Sequence, residues 1–87
     1  VIKDIKEFSN SNIIAVGYVQ DSYNRDGLSI LFDKDLNMLN QEHFGDDNFD
    51  EFNSVYILND SNIIVAGLKT PNNSQESKMW ILKLTQD

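Results

Sequence analysis

The sequence predicts an all-β fold of two consecutive antiparallel four-stranded units, the second without its last strand, and three observations carry that expectation. First, the heptapeptide Ser11-Asn12-Ile13-Ile14-Ala15-Val16-Gly17 returns as Ser61-Asn62-Ile63-Ile64-Val65-Ala66-Gly67, at an offset of 50 residues. Second, apolar positions on either side keep step with it. Ile2, Ile5 and Phe8 match Phe52, Val55 and Leu58 at the same offset, whereas Leu28, Ile30 and Phe32 match Trp80, Leu82 and Leu84 at 52. The difference is absorbed between Gly17 and Leu28, where a loop is expected. Third, the hydrophobic period is two, which places alternate side chains on one face of a strand and excludes helical repeats of similar length. Repeats of roughly 40 to 50 residues built from several short strands are the mark of β-propeller blades.

Taken in order, the first strand spans Ile2 to Phe8 and the second Ile13 to Val19, with Asn10-Ser11 between them. Asn tolerates the left-handed backbone of a tight hairpin. The third strand, Leu28 to Phe32, alternates large apolar residues on one face. A polar turn, Lys34-Asp35-Leu36-Asn37, leads into the fourth strand, Met38 to Phe44. Gly45-Asp46-Asp47-Asn48 then opens the second unit, with strands Phe52 to Leu58, Ile63 to Lys69 and Lys78 to Leu84 and a turn at Asn59-Asp60-Ser61. Pro71, the sole proline, falls ahead of the last strand, where no ladder hydrogen bond is lost. The expected blades are therefore residues 1–45 and 46–87. An immunoglobulin-like sandwich also uses seven strands, but it has no reason to repeat its strand pattern at 50 to 52 residues.

A chain of 87 residues buries only roughly 60 to 65 % of its unfolded surface, so its core is thin. The absence of cysteine rules out disulfides, thiolate metal sites and a catalytic thiol. A formal net charge of −7 repels a phosphate backbone, and the scattered Lys and Arg residues form no stripe, so nucleic acid is not an expected partner. The longest apolar runs, Ile13 to Val16 and Ile63 to Ala66, fall far short of the roughly 20 residues of a membrane helix. The N-terminus does not read as a signal peptide. Opening at Val1 directly into patterned sequence, the chain is expected to be part of a longer propeller, or to associate with itself, because two blades cannot close a ring.

The run from Asn37 to Asp47, which contains Phe44-Gly45-Asp46-Asp47, resembles a repeat found in exported bacterial proteins and lipoproteins. So do the segments Phe52-Asn53-Ser54-Val55, Asn62-Ile63-Ile64-Val65-Ala66-Gly67 and Trp80-Ile81-Leu82-Lys83-Leu84. The chain departs from that pattern in its first unit: Leu28 and Asn40 stand where tryptophan is frequent, and Leu36 replaces a common turn glycine. The resemblance implies a closed ring of blades, an extracellular or bacterial cell-envelope location, and no catalytic role.

Within Asp46-Asp47-Asn48-Phe49-Asp50-Glu51, oxygen side chains fall at the first, third and fifth positions, Asp46, Asn48 and Asp50, as in the opening of a calcium loop. Glu51 stands where a sharp turn needs glycine, and Ile57 where a closing carboxylate belongs, so calcium competes with a solvated acidic connection. Asp33, Asp35 and Asn37 repeat the spacing within an expected hairpin turn. His43, the only histidine, has no recognisable nucleophile or co-ligand and is expected on a solvent-facing strand. Tyr18 and Tyr23, at or beside a loop, are the candidate ligand contacts, because flat rings cover sugar faces. Trp80, in register with Leu82 and Leu84, is assigned to packing between blades. These readings favour a non-catalytic module of a bacterial secreted or cell-surface protein that binds or scaffolds a protein or glycan. A fragment of a propeller enzyme acting on polysaccharide and a calcium-stabilised structural repeat are the alternatives.

Overall fold

The structure, a computed structural model, describes residues 1–20, 24–45, 49–59, 61–70 and 78–85, which are all-β with no helix. Tyr23, Asp46, Asp47, Asn48, Asp60 and Pro71 lie outside the described residues. In chain order the strands are β1 (Ile2–Glu7), β2 (Ile13–Gln20), β3 (Arg25–Phe32), β4 (Met38–Phe44), β5 (Phe49–Ile57), β6 (Asn62–Thr70) and β7 (Lys78–Thr85). The alternation in sequence locates all seven. It misses the starts of β3 and β5, because Arg25 to Gly27 and Phe49 to Glu51 are largely polar. Both segments nonetheless complete ladders, with Tyr18 to Gln20 and with Leu68 to Thr70 respectively.

Strands β1 to β4 pair antiparallel in sequence order, and so do β5 to β7. Their registers match position for position. Ile2 pairs with Gly17, a bulge follows, and Ile5 then faces Ala15; Phe52 pairs with Gly67, a bulge follows, and Val55 faces Val65. In the next ladder, Gly17 opposes Leu28 and Gly67 opposes Trp80. Glycine stands opposite each bulge, where an added Cβ would overlap the carbonyl oxygen of Val1 at position 17 and that of Glu51 at position 67 unless the backbone shifted.

The sequence leads one to expect two separate sheets, but the backbone joins them. Arg25, which lies beyond the stretch of β3 that pairs with β4, forms one parallel bridge with Phe49, so the strands make a single open, mostly antiparallel sheet. About that corner the two meanders face each other. Phe8, Ile14, Val16 and Leu31 from the first share one buried cluster with Phe52, Val55, Ile63 and Val65 from the second. Phe52 lies against Gly27 of β3, where a Cβ would come within 2.9 Å of its ring. Trp80, Leu82 and Leu84 pack on the same cluster, as their alternation requires.

The contact is not between equivalent faces. The first meander buries the face of Ile14 and Val16, whose counterparts Ile64 and Ala66 lie on the outer face of the second. The second buries Ile63 and Val65, whose counterparts Ile13 and Ala15 lie on the outer face of the first. Two sheets related by a local two-fold would present the same face to each other, whereas this stacking runs in one direction.

The β3–β4 turn is closed by Asp33, whose Oδ1 accepts hydrogen bonds from the backbone N–H groups of Asp35 and Asn37, each at 2.9 Å. Leu36 takes a left-handed φ of 67°, a conformation that favours glycine.

Candidate functional site

A set of charged and aromatic groups, Arg25, Glu51, Asp50, Lys69, Tyr18 and Trp80, gathers about the corner where β3 meets β5. Register brings them there: β2 and β3 pair Gln20 with Arg25, β5 and β6 pair Asp50 with Lys69, and the Arg25–Phe49 bridge joins the two sets. The Arg25 guanidinium donates to Gln20 Oε1 from Nε (2.9 Å) and Nη2 (2.6 Å), and to Glu51 Oε1 from Nη1 (3.2 Å). Its central carbon lies 4.0 Å from the Tyr18 ring centroid, so one face of that ring is covered by the cation. Tyr18 is thus half-buried and oriented, not a free-standing platform.

Asp50 is fully buried, and its Oδ1 lies 3.6 Å from Lys69 Nζ, which also sits 4.9 Å above the Trp80 ring. Of the candidate calcium ligands it is the one within the described residues, and it faces an ammonium group. Gly45, with φ of +156°, runs between two carboxylates: a Cβ there would lie 2.5 Å from Asp26 Oδ1 and 2.6 Å from Asp50 Oδ2. The reading of this stretch as a solvated connection is therefore corrected at Asp50, which sits in β5 with its charge compensated by the neighbouring strand. Lys69 is 19 residues away in sequence, and the β5–β6 register alone reveals the pair. Among the described residues no group of three or more His, Asp and Glu side chains is placed to hold a metal ion.

The second calcium-like spacing is accounted for by the turn. Asp33 takes the two backbone N–H bonds and also accepts from Asn37 Nδ2 at 3.1 Å, and these bonds, those from Asn37 first, hold its carboxyl below the usual value. His43 lies on exposed β4 with Nε2 2.9 Å from Gln41 Nε2.

A groove of about 250 Å³ opens between the β3–β4 hairpin and the far ends of β6 and β7, with Leu31, Ile63 and Leu84 at its floor and Glu42 and Lys83 among its walls. Its charged groups among the described residues are one carboxylate, Glu42, and one ammonium, Lys83.

One polar group ties the meanders together that sequence reasoning passes over. Asp4 Oδ1 accepts from its own strand at Ile5 N (2.9 Å), while Oδ2 accepts from Val55 N (2.9 Å) on the opposite meander. Ile5 and Val55 are equivalent positions, each just past a bulge. Lys6 Nζ lies 2.9 Å from the same carboxylate; that bond, with the Val55 and Ile5 N–H donors, lowers the Asp4 pKa below its usual 3.8. Replacing Asp4 by alanine is expected to cost about 1 to 2 kcal/mol, since two N–H groups lose a charged acceptor while water retains partial access. Because the folded-state pKa is depressed, this contribution is complete above the ordinary carboxylate range and disappears as pH falls through the lower folded value. Urea titrations of both chains should therefore converge on acidification. A deficit that stays constant from about pH 7 to about pH 2 would show that Asp4 does not act as an ionised acceptor.

No family model matches this chain, and no curated protein matches it in sequence.

Proposed function

We propose that the chain is a non-catalytic β-propeller module, residues 1–45 and 46–87 forming two blades, that scaffolds or recognises a protein or glycan surface. The observation that carries this reading is the one-directional stacking of two meanders with matching registers and matching bulges. Rotation by a constant step, repeated, generates a ring from such a contact, and a ring covers both faces of every sheet. The resemblance noted in the sequence adds an exported bacterial setting. The corner residues support recognition over catalysis: Arg25 and Asp50 are engaged by neighbours, and the groove offers a single carboxylate.

Tandem fusion tests the blade reading. Propellers close at roughly 4 to 8 blades, so chains of two to four joined copies should include one length at which the unfolding midpoint jumps and a compact closed species appears. A smooth rise with copy number, as in an open solenoid, would overturn it. For the functional half, the fused ring is incubated with polysaccharides and with a glycan array. Retained binding without new reducing ends is expected, and cleavage would transfer the protein to the enzyme class.

A further inference from the structure

We infer that separate copies of this chain stack head to tail, the outer face of β5–β7 in one copy docking on the outer face of β1–β3 in the next. The occupant is specified by the internal contact itself. Residues of the second meander that are buried against the first have counterparts, at offsets of 50 and 52, on the open face of the first. Phe52 and Val55 are 0 % and 4 % exposed, whereas their counterparts Ile2 and Ile5 are 48 % and 55 % exposed. The reverse holds for the complementary face: Phe8 is 2 % exposed and its counterpart Leu58 is 44 %. Each open face is thus a second example of a face that this chain already buries, and each is complementary to the other and not to itself.

Both faces are apolar enough to associate. The open side of the first meander carries the exposed Ile2 and Ile5 beside the half-buried Ile13, Ile30 and Phe32, on alternate positions of β1 to β3. The open side of the second carries Tyr56, Leu68, Met79 and Ile81, between 39 % and 79 % exposed. Exposed apolar surface of this extent on neighbouring strands is the usual sign of a docking site. One feature of the internal contact is not reproduced. Position 54 holds Ser where position 4 holds Asp, and Ile5 N is already bonded to Asp4, so the new contact lacks the carboxylate clip and rests on apolar packing. The association is accordingly expected to be weaker than the fold itself and to depend on concentration. A head-to-tail contact that does not close makes a filament, and one that closes makes a ring.

The inference rests on the blade reading for the equivalence of the faces, and it is tested on the unfused chain. Two variants break opposite faces at exposed positions, Ile5→Lys on β1 and Ile81→Lys on β7, so neither removes a buried side chain. In sedimentation velocity, the wild-type average mass should rise with concentration, and each variant alone should stay monomeric. Mixing the two variants should restore association, but only to a species of twice the monomer mass, because each partner contributes one intact face and caps the other end. Unfolding curves monitored by Trp80 verify that both variants fold; should one not, Ile2→Lys and Met79→Lys break the same faces. A wild-type chain that is monomeric at every concentration overturns the inference, as does a variant that self-associates alone by edge pairing or by contact of like faces. A mixture that remains monomeric overturns it too. Ring closure in the fused chains combined with any of these results would leave the blade reading standing and remove only the free association.

Discussion

Replacing Phe52 by alanine is expected to destabilise the chain by about 3 to 5 kcal/mol, the largest effect of any single side-chain truncation. Phe52 is fully buried and lies between the meanders, with its ring centroid 5.5 Å from Phe44 and 5.0 Å from Trp80, the latter pair stacked at 28°. Its edge fills the space left by Gly27, where a side chain would collide with it. Truncation removes the burial of one large ring and leaves a cavity bounded by strands that cannot collapse without leaving their ladders. Small domains are stable by roughly 5 to 15 kcal/mol, and a thin core sits near the lower end, so the variant should melt more than about 12 °C below the wild type. Phe52→Leu keeps most of the buried area and forfeits the two ring contacts, and should cost about 1 to 2 kcal/mol. Trp80 is the only tryptophan, so its emission reports the loss of the stack directly. An alanine variant that unfolds within about 1 kcal/mol of the wild type would mean that the meanders are not held together through this residue.

How far the fold was legible follows from which forces have a local signature. Burial on one face of a strand leaves a period of two, and the strands from Ile13 and from Ile63 could be placed from it. The turn at Asp33 to Asn37 was legible for a similar reason, because Asx side chains bond their own backbone two to four residues on. Asp50 was not. Five acidic or polar residues among the six from Asp46 to Glu51 suggest solvent, and what makes burial possible is a lysine on the next strand that sequence does not bring near. Asp4 escapes in the same way: its partner Val55 lies 51 residues away, and the N–H that Asp4 accepts from lies just past a bulge. The candidate site shows the same division. Tyr18 stands out in the sequence for its ring and lies within β2, but the Arg25 guanidinium over that ring depends on the Tyr18–Gly27 and Gln20–Arg25 register.

Matching sequence positions need not be energetically equal, and Gly67 and Gly17 illustrate this. At both, an added methyl group would point into the carbonyl oxygen of the residue just ahead of the bulged strand pair. At position 67 that carbonyl belongs to Glu51, which is fixed by its ladder with Leu68, by the Arg25 ion pair at 3.2 Å, and by the fully buried Phe52 that follows. At position 17 it belongs to Val1, 66 % exposed, which is attached across the ladder through its own N and O to Tyr18. The first backbone cannot yield and the second can. Gly67→Ala is therefore expected to cost about 3 kcal/mol, near the upper end for overpacking, and Gly17→Ala about 1 kcal/mol, both read from urea unfolding midpoints. The bulge that Gly67 permits also directs the Val55 N–H towards Asp4. Once alanine has displaced that bulge, the Asp4 carboxylate has less left to lose, and Gly67→Ala combined with Asp4→Ala should cost less than the two separately. Equal costs at the two glycines, or strict additivity with Asp4, would show that the bulge opposite Gly67 does not couple the strand pair to the opposing meander.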